Sequence, residues 1–152
     1  MSEVVYNKEK FADIYEEMKP LLEKHYHEIA HYQDIKLNPD FEQYCMLEKI
    51  GMLKTYTARF EGELIGYSLF FVKKNIHYKD SLQAVQDVIY IDKTRRGFGR
   101  IFIDWCDSQL REYGVQVVYH HVKQEHNFGP MLEKMGYKLI DLIYGRRLDK
   151  GT

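Results

Sequence analysis

The chain predicts an α/β protein of the mixed (α+β) kind, a central mixed sheet flanked by helices. Three observations lead there. Phe11, Ile14, Tyr15, Met18, Leu21, Leu22, Tyr26 and Ile29 recur with a helical period. Leu53 to Phe60 and Leu64 to Lys73 are β-like runs joined by Glu61-Gly62-Glu63, the clearest hairpin in the sequence. Gln83 to Asp92, Gly97 to Tyr113 and Val115 to Val122 then read as strand, helix and strand, a right-handed crossover between parallel strands. Elements in this mixed order pack as a sheet with helices on its faces.

Taken in order, residues 3–7 can form a short strand. The helical pattern from Lys8 to about His31 contains Pro20, so it predicts a kink or two helices broken near Lys19. Asn38-Pro39-Asp40 is a turn, and Asp40 is a good N-cap for a helix to about Ile50, closed by Gly51. The hairpin follows, then a polar loop from Asn75 to Ser81 and the strand Gln83–Asp92. Phe98, Ile101, Phe102, Trp105 and Leu110 give the next helix an apolar face, and Gly114 ends it. After the strand Val115–Val122, a short helix from about Asn127 to Met135 stops at Gly136. A last strand is expected from Tyr137 to Leu148, bent or interrupted.

Composition narrows the function. The 152 residues read as one domain, 1–152, with 45% hydrophobic and 30% charged residues. No apolar run approaches the ~20 residues of a spanning helix, and the first residues do not read as a secretion signal. Cys45 and Cys106 lie far apart with no second pair for zinc, so both are read as reduced and the compartment as cytoplasmic. A net charge of −1 argues against a nucleic-acid partner held by bulk electrostatics. His25, His27 and His31 have no Glu or Cys beside them in a ligand pattern, so no metal is expected.

The stretch that points to chemistry is Ile89-Tyr90-Ile91-Asp92-Lys93-Thr94-Arg95-Arg96-Gly97-Phe98-Gly99-Arg100. An apolar strand ends, a short basic loop carries two glycines, and an amphipathic helix begins. Glycine lets backbone approach a ligand closely. The first amides of a helix lack internal partners and sit at the positive end of its dipole. Gly97, Phe98 and Gly99 can therefore cradle a phosphate or pyrophosphate, with Arg95, Arg96 and Arg100 adding charge-assisted hydrogen bonds. The alternative is a helix start that needs flexible residues and has solvated arginines. No Gly-Lys-Ser/Thr follows, so this is not a P-loop, and a dinucleotide fingerprint would need a third glycine.

The C-terminal third completes a pattern. After Val115–Val122 come Asn127 and then Met131-Leu132-Glu133-Lys134-Met135-Gly136-Tyr137. Over roughly residues 50–148 the chain resembles the Gcn5-related N-acetyltransferase (GNAT) family. That family's loop reads Gln/Arg-x-x-Gly-x-Gly/Ala, and its short last helix closes on an aliphatic residue, Gly and an aromatic. Gly62 and Leu64-Ile65-Gly66 in the hairpin fit as well. Aligned on Gly97-Phe98-Gly99, Thr94 stands where the family has Gln or Arg. Aligned from the strand, Arg96 fills that slot but Ile101 replaces the last small residue. The first register keeps Phe102 and Ile103 on the apolar face.

The resemblance implies a GNAT-like acyl-CoA N-acyltransferase fold and acetyl-CoA as co-substrate, with an amine acceptor, small molecule or protein amino group, attacking the thioester directly. It implies that Ile91 and its neighbours offer backbone groups to the pantetheine arm and that Asn127 contacts the coenzyme, although Asn127 also suits an N-cap. A base is needed to take the amine's proton, and Asp87 is the acidic side chain within its strand; it could equally be a polar residue on an exposed face. The family's tyrosine acid is Leu132 here, so Tyr119, His120 and His121 become the candidate acids, with water as a substitute. The first helices, Tyr56, Tyr67 and the loop 76–80 are candidates to face the acceptor. The same features fit a silent acyl-CoA-binding or protein-interaction module, and they leave open whether the chain forms a homodimer.

Overall fold

The structure, a computed structural model, describes residues 3–95 and 97–150. Five strands form one sheet in the order β1-β2-β3-β4-β5: Val4–Lys8, Leu53–Phe60, Glu63–Lys74, Leu82–Ile91 and Val117–Tyr119. The first four are antiparallel neighbours, and β5 runs parallel to β4. The helices are α1 (Phe11–Ile29), α2 (Phe41–Lys49), α3 (Gly99–Tyr113) and α4 (Gly129–Lys134).

Two cores cover the two faces of the sheet. Phe11, Ile14 and Met18 of α1 pack on Leu53, Tyr67 and Leu69. On the other face Phe98, Phe102, Cys106 and Leu110 pack on Tyr56, Phe70, Val72 and Ala84. A smaller cluster of Ile89, Ile103 and Leu132 joins α4 to β4 and α3.

Helix α1 is continuous through Pro20, so of the expected kink or break the break near Lys19 is not formed. Proline removes one ladder hydrogen bond and crowds the carbonyl of Glu16. Both Glu16 and Pro20 are exposed, which puts the crowded turn on the solvent side, while Phe11, Ile14 and Met18 before the proline and Leu21 and Leu22 after it pack on the core. Helix α2 begins as the sequence requires, with the Asp40 carboxylate accepting from the Gln43 amide at 3.1 Å. The hairpin turn is two residues, Glu61 and Gly62, at φ 50° and 83°. Such a left-handed pair matches the twist of the strands it joins.

Strand β4 contains the irregularity that shapes the site. Leu69 of β3 pairs with Val88 and Phe70 with Gln86, so Asp87 is an unpaired extra residue, a β-bulge. Before it Leu82 and Ala84 face α3; beyond it Ile89 and Ile91 do, while Val88 and Tyr90 face α1. The bulge ends the parallel ladder as well. Pairing with β5 stops at Val85↔Tyr119, and 120–122 do not continue it. The predicted strand Val115–Val122 is thus cut to three residues. The predicted last strand Tyr137–Leu148 is not formed either. Its neighbour would have been that shortened edge, and Leu139, Ile140, Leu142, Ile143 and Tyr144 lie exposed.

Candidate active site

Where β4 bends away from β5, a cleft opens with a cavity volume of about 480 Å3. Its walls are Asp87 to Lys93 on one side and His121, Lys123, His126, Phe128 and Met131 on the other. Gly97, Gly99 and Arg100 close one end, and His25, Glu28 and Ile29 of α1 border it.

The glycine loop meets the cleft as a cradle. Gly97 sits at φ 94°, a conformation side chains disfavour, and a Cβ there would meet nothing within 4 Å. At Gly99 a Cβ would lie 3.0 Å from Cδ1 of Ile91. Phe98, the N-cap of α3, makes no side-chain cap hydrogen bond. The first amides of α3 therefore have no intrahelical acceptor and lie beside the cleft. The loop is held from behind by the Phe98 ring, buried against Gly66, where a Cβ would stand 3.1 Å from that ring. The Asp92 carboxylate fixes the turn by accepting from the Thr94 amide at 2.9 Å and its hydroxyl at 2.8 Å, which holds its pKa below the usual range.

Asp87, pushed out by the bulge, lines the cleft and accepts a 2.6 Å hydrogen bond from the Tyr44 hydroxyl. Desolvation raises its pKa, and the bond from Tyr44 opposes part of that rise. Burial and the same bond push the Tyr44 phenol up, so it stays a donor. Near the other wall His120 is packed among rings. Its Nδ1 lies 2.9 Å from Oε1 of Gln86, and Phe70, Phe128 and Tyr137 stand edge-on to it. Burial lowers its pKa to about 4, keeping the imidazole neutral. The Tyr137 hydroxyl donates to Asp107 at 2.7 Å, tying the end of α4 to α3.

The cleft gathers Asp87, Ile91, Gly97, Gly99, Arg100 and His121. Other expectations are placed elsewhere. Arg95 stacks on Phe60 at 4.4 Å and approaches Glu63 at 3.7 Å, turned toward the hairpin. The Phe98 side chain belongs to the core, leaving only its backbone for a ligand. Tyr119 does not line the cleft, and Asn127, at the position before Phe128, the N-cap of α4, accepts from the Gly129 amide at 2.8 Å. Arg96 lies outside the described residues. Tyr56 and Tyr67 are buried in the cores, and Ile76 and Tyr78 are exposed on their loop. Leu132 is buried against Ile89 and Ile103 and carries no proton to give.

Sequence reasoning missed Tyr44, His126 and the pair Glu28–Lys93, whose charged atoms lie 3.1 Å apart beside the cleft. Tyr44 meets Asp87 across 43 residues, a contact with no local signature. Of the three clustered histidines, His25 borders the cleft against Tyr90 and His126, while His31 pairs with Glu125 at 3.1 Å. Burial, then the neighbouring His126, lower the His25 pKa. Among the described residues no group of three or more His, Cys, Asp or Glu could hold a metal ion, and no helix is long and apolar enough to cross a membrane.

No protein-family model and no curated protein sequence matches the chain. Solved structures do. A ribosomal-protein-alanine N-acetyltransferase from Brucella melitensis superposes with TM-score 0.70 at 19% identity, over 96% of this chain and 99% of that one. Glucosamine-6-phosphate N-acetyltransferase from Arabidopsis thaliana gives 0.71 at 13% identity, over 97% and 99%. A predicted acetyltransferase from Clostridium acetobutylicum, crystallised with acetyl-CoA, gives 0.67 at 15%, over 95% and 96%. At such identities the likeness is one of fold.

Proposed function

We propose that this chain, which has the fold of the Gcn5-related N-acetyltransferases, transfers an acetyl group from acetyl-CoA to an amine. The observation that carries the reading is one continuous cleft that runs from the start of α3, with Gly97 at φ 94°, along the bulged strand to Asp87. A diphosphate suits one end and a base the other.

At the phosphate end, the amides opening α3 and the Arg100 side chain would hold the diphosphate. The β4 backbone from Val88 to Ile91 keeps its ladder with β3 but no longer pairs with β5, so the polar groups on that edge would take the amides of an extended pantetheine arm. Backbone N–H donors on this stretch would also hold the thioester oxygen as negative charge develops on it.

At the other end Asp87 takes the proton. An ammonium acceptor gives one proton to the Asp87 carboxylate, and the free amine then forms the new bond from nitrogen to the acetyl carbon. The carbon–sulfur bond breaks, the second proton that the nitrogen sheds as the amide forms passes to the departing thiolate directly or through His121 or water, and Asp87 returns its own proton to solvent. Desolvation makes Asp87 a stronger base than a solvated carboxylate, which favours this transfer.

Calorimetry tests the coenzyme end directly. Gly97→Glu combined with Gly99→Glu places bulk and negative charge in the cradle, and should weaken acetyl-CoA binding at least a hundredfold, ~3 kcal/mol. Binding at wild-type strength by the double variant would remove the assignment. The loss should appear equally with desulfo-CoA, since the diphosphate and not the thioester is the group displaced.

A further inference from the structure

A second cavity, of about 300 Å3, shares Asp87 and Val88 with the cleft. Met18 and Leu22 of α1, Leu37 and Pro39 of the loop before α2, and Leu69 of β3 furnish its lining with hydrocarbon. Among its described lining residues Asp87 is the one carboxylate and Lys36 the one cation.

We propose that this cavity receives the acceptor, and that the acceptor is a primary amine carried on a small apolar body, an alkyl or arylalkyl monoamine. The inference rests on the acetyl-transfer reading above. The chemistry of the walls decides the class. A polyamine needs several carboxylates spaced along its length, and this cavity has one. A phosphorylated sugar needs several donors and cations, and burying its hydroxyls against Met18, Leu22 and Leu69 would strip them of water without replacement. An apolar amine loses nothing there. Its body displaces water from hydrocarbon, and its nitrogen meets Asp87, which lines both cavities.

The wall is held in place from two directions. The Tyr26 hydroxyl donates to the backbone carbonyls of Ile35 and, at 3.2 Å, of Tyr32. From outside, Arg147 and Lys150 reach Asp34 at 2.9 Å and 2.7 Å, binding the C-terminal segment to the same loop. A pre-formed apolar wall selects by shape and hydrophobicity without first being ordered.

The test uses the full chain, saturating acetyl-CoA and a panel of amines, with thiol release as readout. Along butylamine, pentylamine and hexylamine, kcat/KM should rise about threefold to fourfold per methylene. 2-Phenylethylamine should exceed spermidine and glucosamine 6-phosphate by tenfold or more. Leu37→Arg, at a position already 37% exposed, sets a cation in the wall. It should raise KM for 2-phenylethylamine about tenfold by charge repulsion, leaving the acetyl-CoA Kd unchanged. A flat alkyl series, a preference for spermidine, the sugar phosphate or a peptide N-terminus, or no turnover of any amine while acetyl-CoA binds, would overturn the proposal. Failure to bind acetyl-CoA is a separate result, and it would sink the acetyl-transfer reading itself.

Discussion

At Asp87 the carboxylate accepts from Tyr44 at 2.6 Å and still opens to both cavities, so one oxygen is positioned while the group stays within reach of a nitrogen. Asp87→Asn keeps the size and removes the basicity. It should lower kcat on the order of a hundredfold to ten-thousandfold, with acetyl-CoA affinity preserved. In the wild type, kcat should fall as pH drops through the Asp87 pKa, which desolvation sets above the ordinary carboxylate value. The variant should lack that limb in steady-state profiles. His120 gives a different pH effect, on stability. Its folded pKa near 4 lies below the unfolded value of 6.5, so the unfolded chain binds the proton first and stability falls as pH drops between the two. From about pH 7 to about pH 5 this should cost ~2 kcal/mol, and urea denaturation of His120→Phe should lack that component.

At the scale of elements, Pro20 is the clearest target. Its ring sits on the exposed face of a helix that is otherwise regular, so Pro20→Ala should restore a hydrogen bond and stabilise the protein by about 1–3 kcal/mol, seen as a raised Tm. The same residue shows where sequence reading stops. A proline inside an apolar period signals a kink or a break, yet Phe11, Ile14 and Met18 before it and Leu21 and Leu22 after it pack on one core and carry the helix across. Elements with local signals were legible: Asp40 as a cap, Glu61-Gly62 as a turn, Gly114 as a helix end. The strand Val115–Val122 was overestimated because its length depends on a neighbour that bends away, and β-branched residues cannot report that. The adjacent polar pair Gln86-Asp87 inside an apolar strand is the one trace of the bulge in the sequence.

Across the whole molecule, Arg59 joins parts that are distant in sequence. It reaches Glu9 at 2.9 Å, Glu17 at 2.8 Å and the Gly62 carbonyl at 2.9 Å, linking the β1–α1 junction, α1 and the hairpin. These bonds hold both glutamates below the usual range. Arg59→Leu would leave two carboxylates facing each other and should cost about 1–2 kcal/mol at neutral pH, measurable by thermal denaturation. The site as a whole was half legible. The glycine loop was visible because its glycines and the helix start are contiguous, and Asp87 because it is an acid within an apolar strand. The second cavity was not, because Tyr44, Leu69 and Asp87 meet only after three separate elements fold together.

The bulge at Asp87 makes strand length as consequential as strand composition. Replacing that residue alters a functional group, whereas excising it would let Gln86 and Val88 pair in direct succession with Phe70 and Leu69, removing the bulge while Ile89 and Ile91 stay toward α3 and Val88 and Tyr90 toward α1. A shortened chain would thus keep Ile91 beneath the glycine loop yet lose the bend in the strand, and an alignment that places a gap here describes a protein with a regular ladder where this one is interrupted.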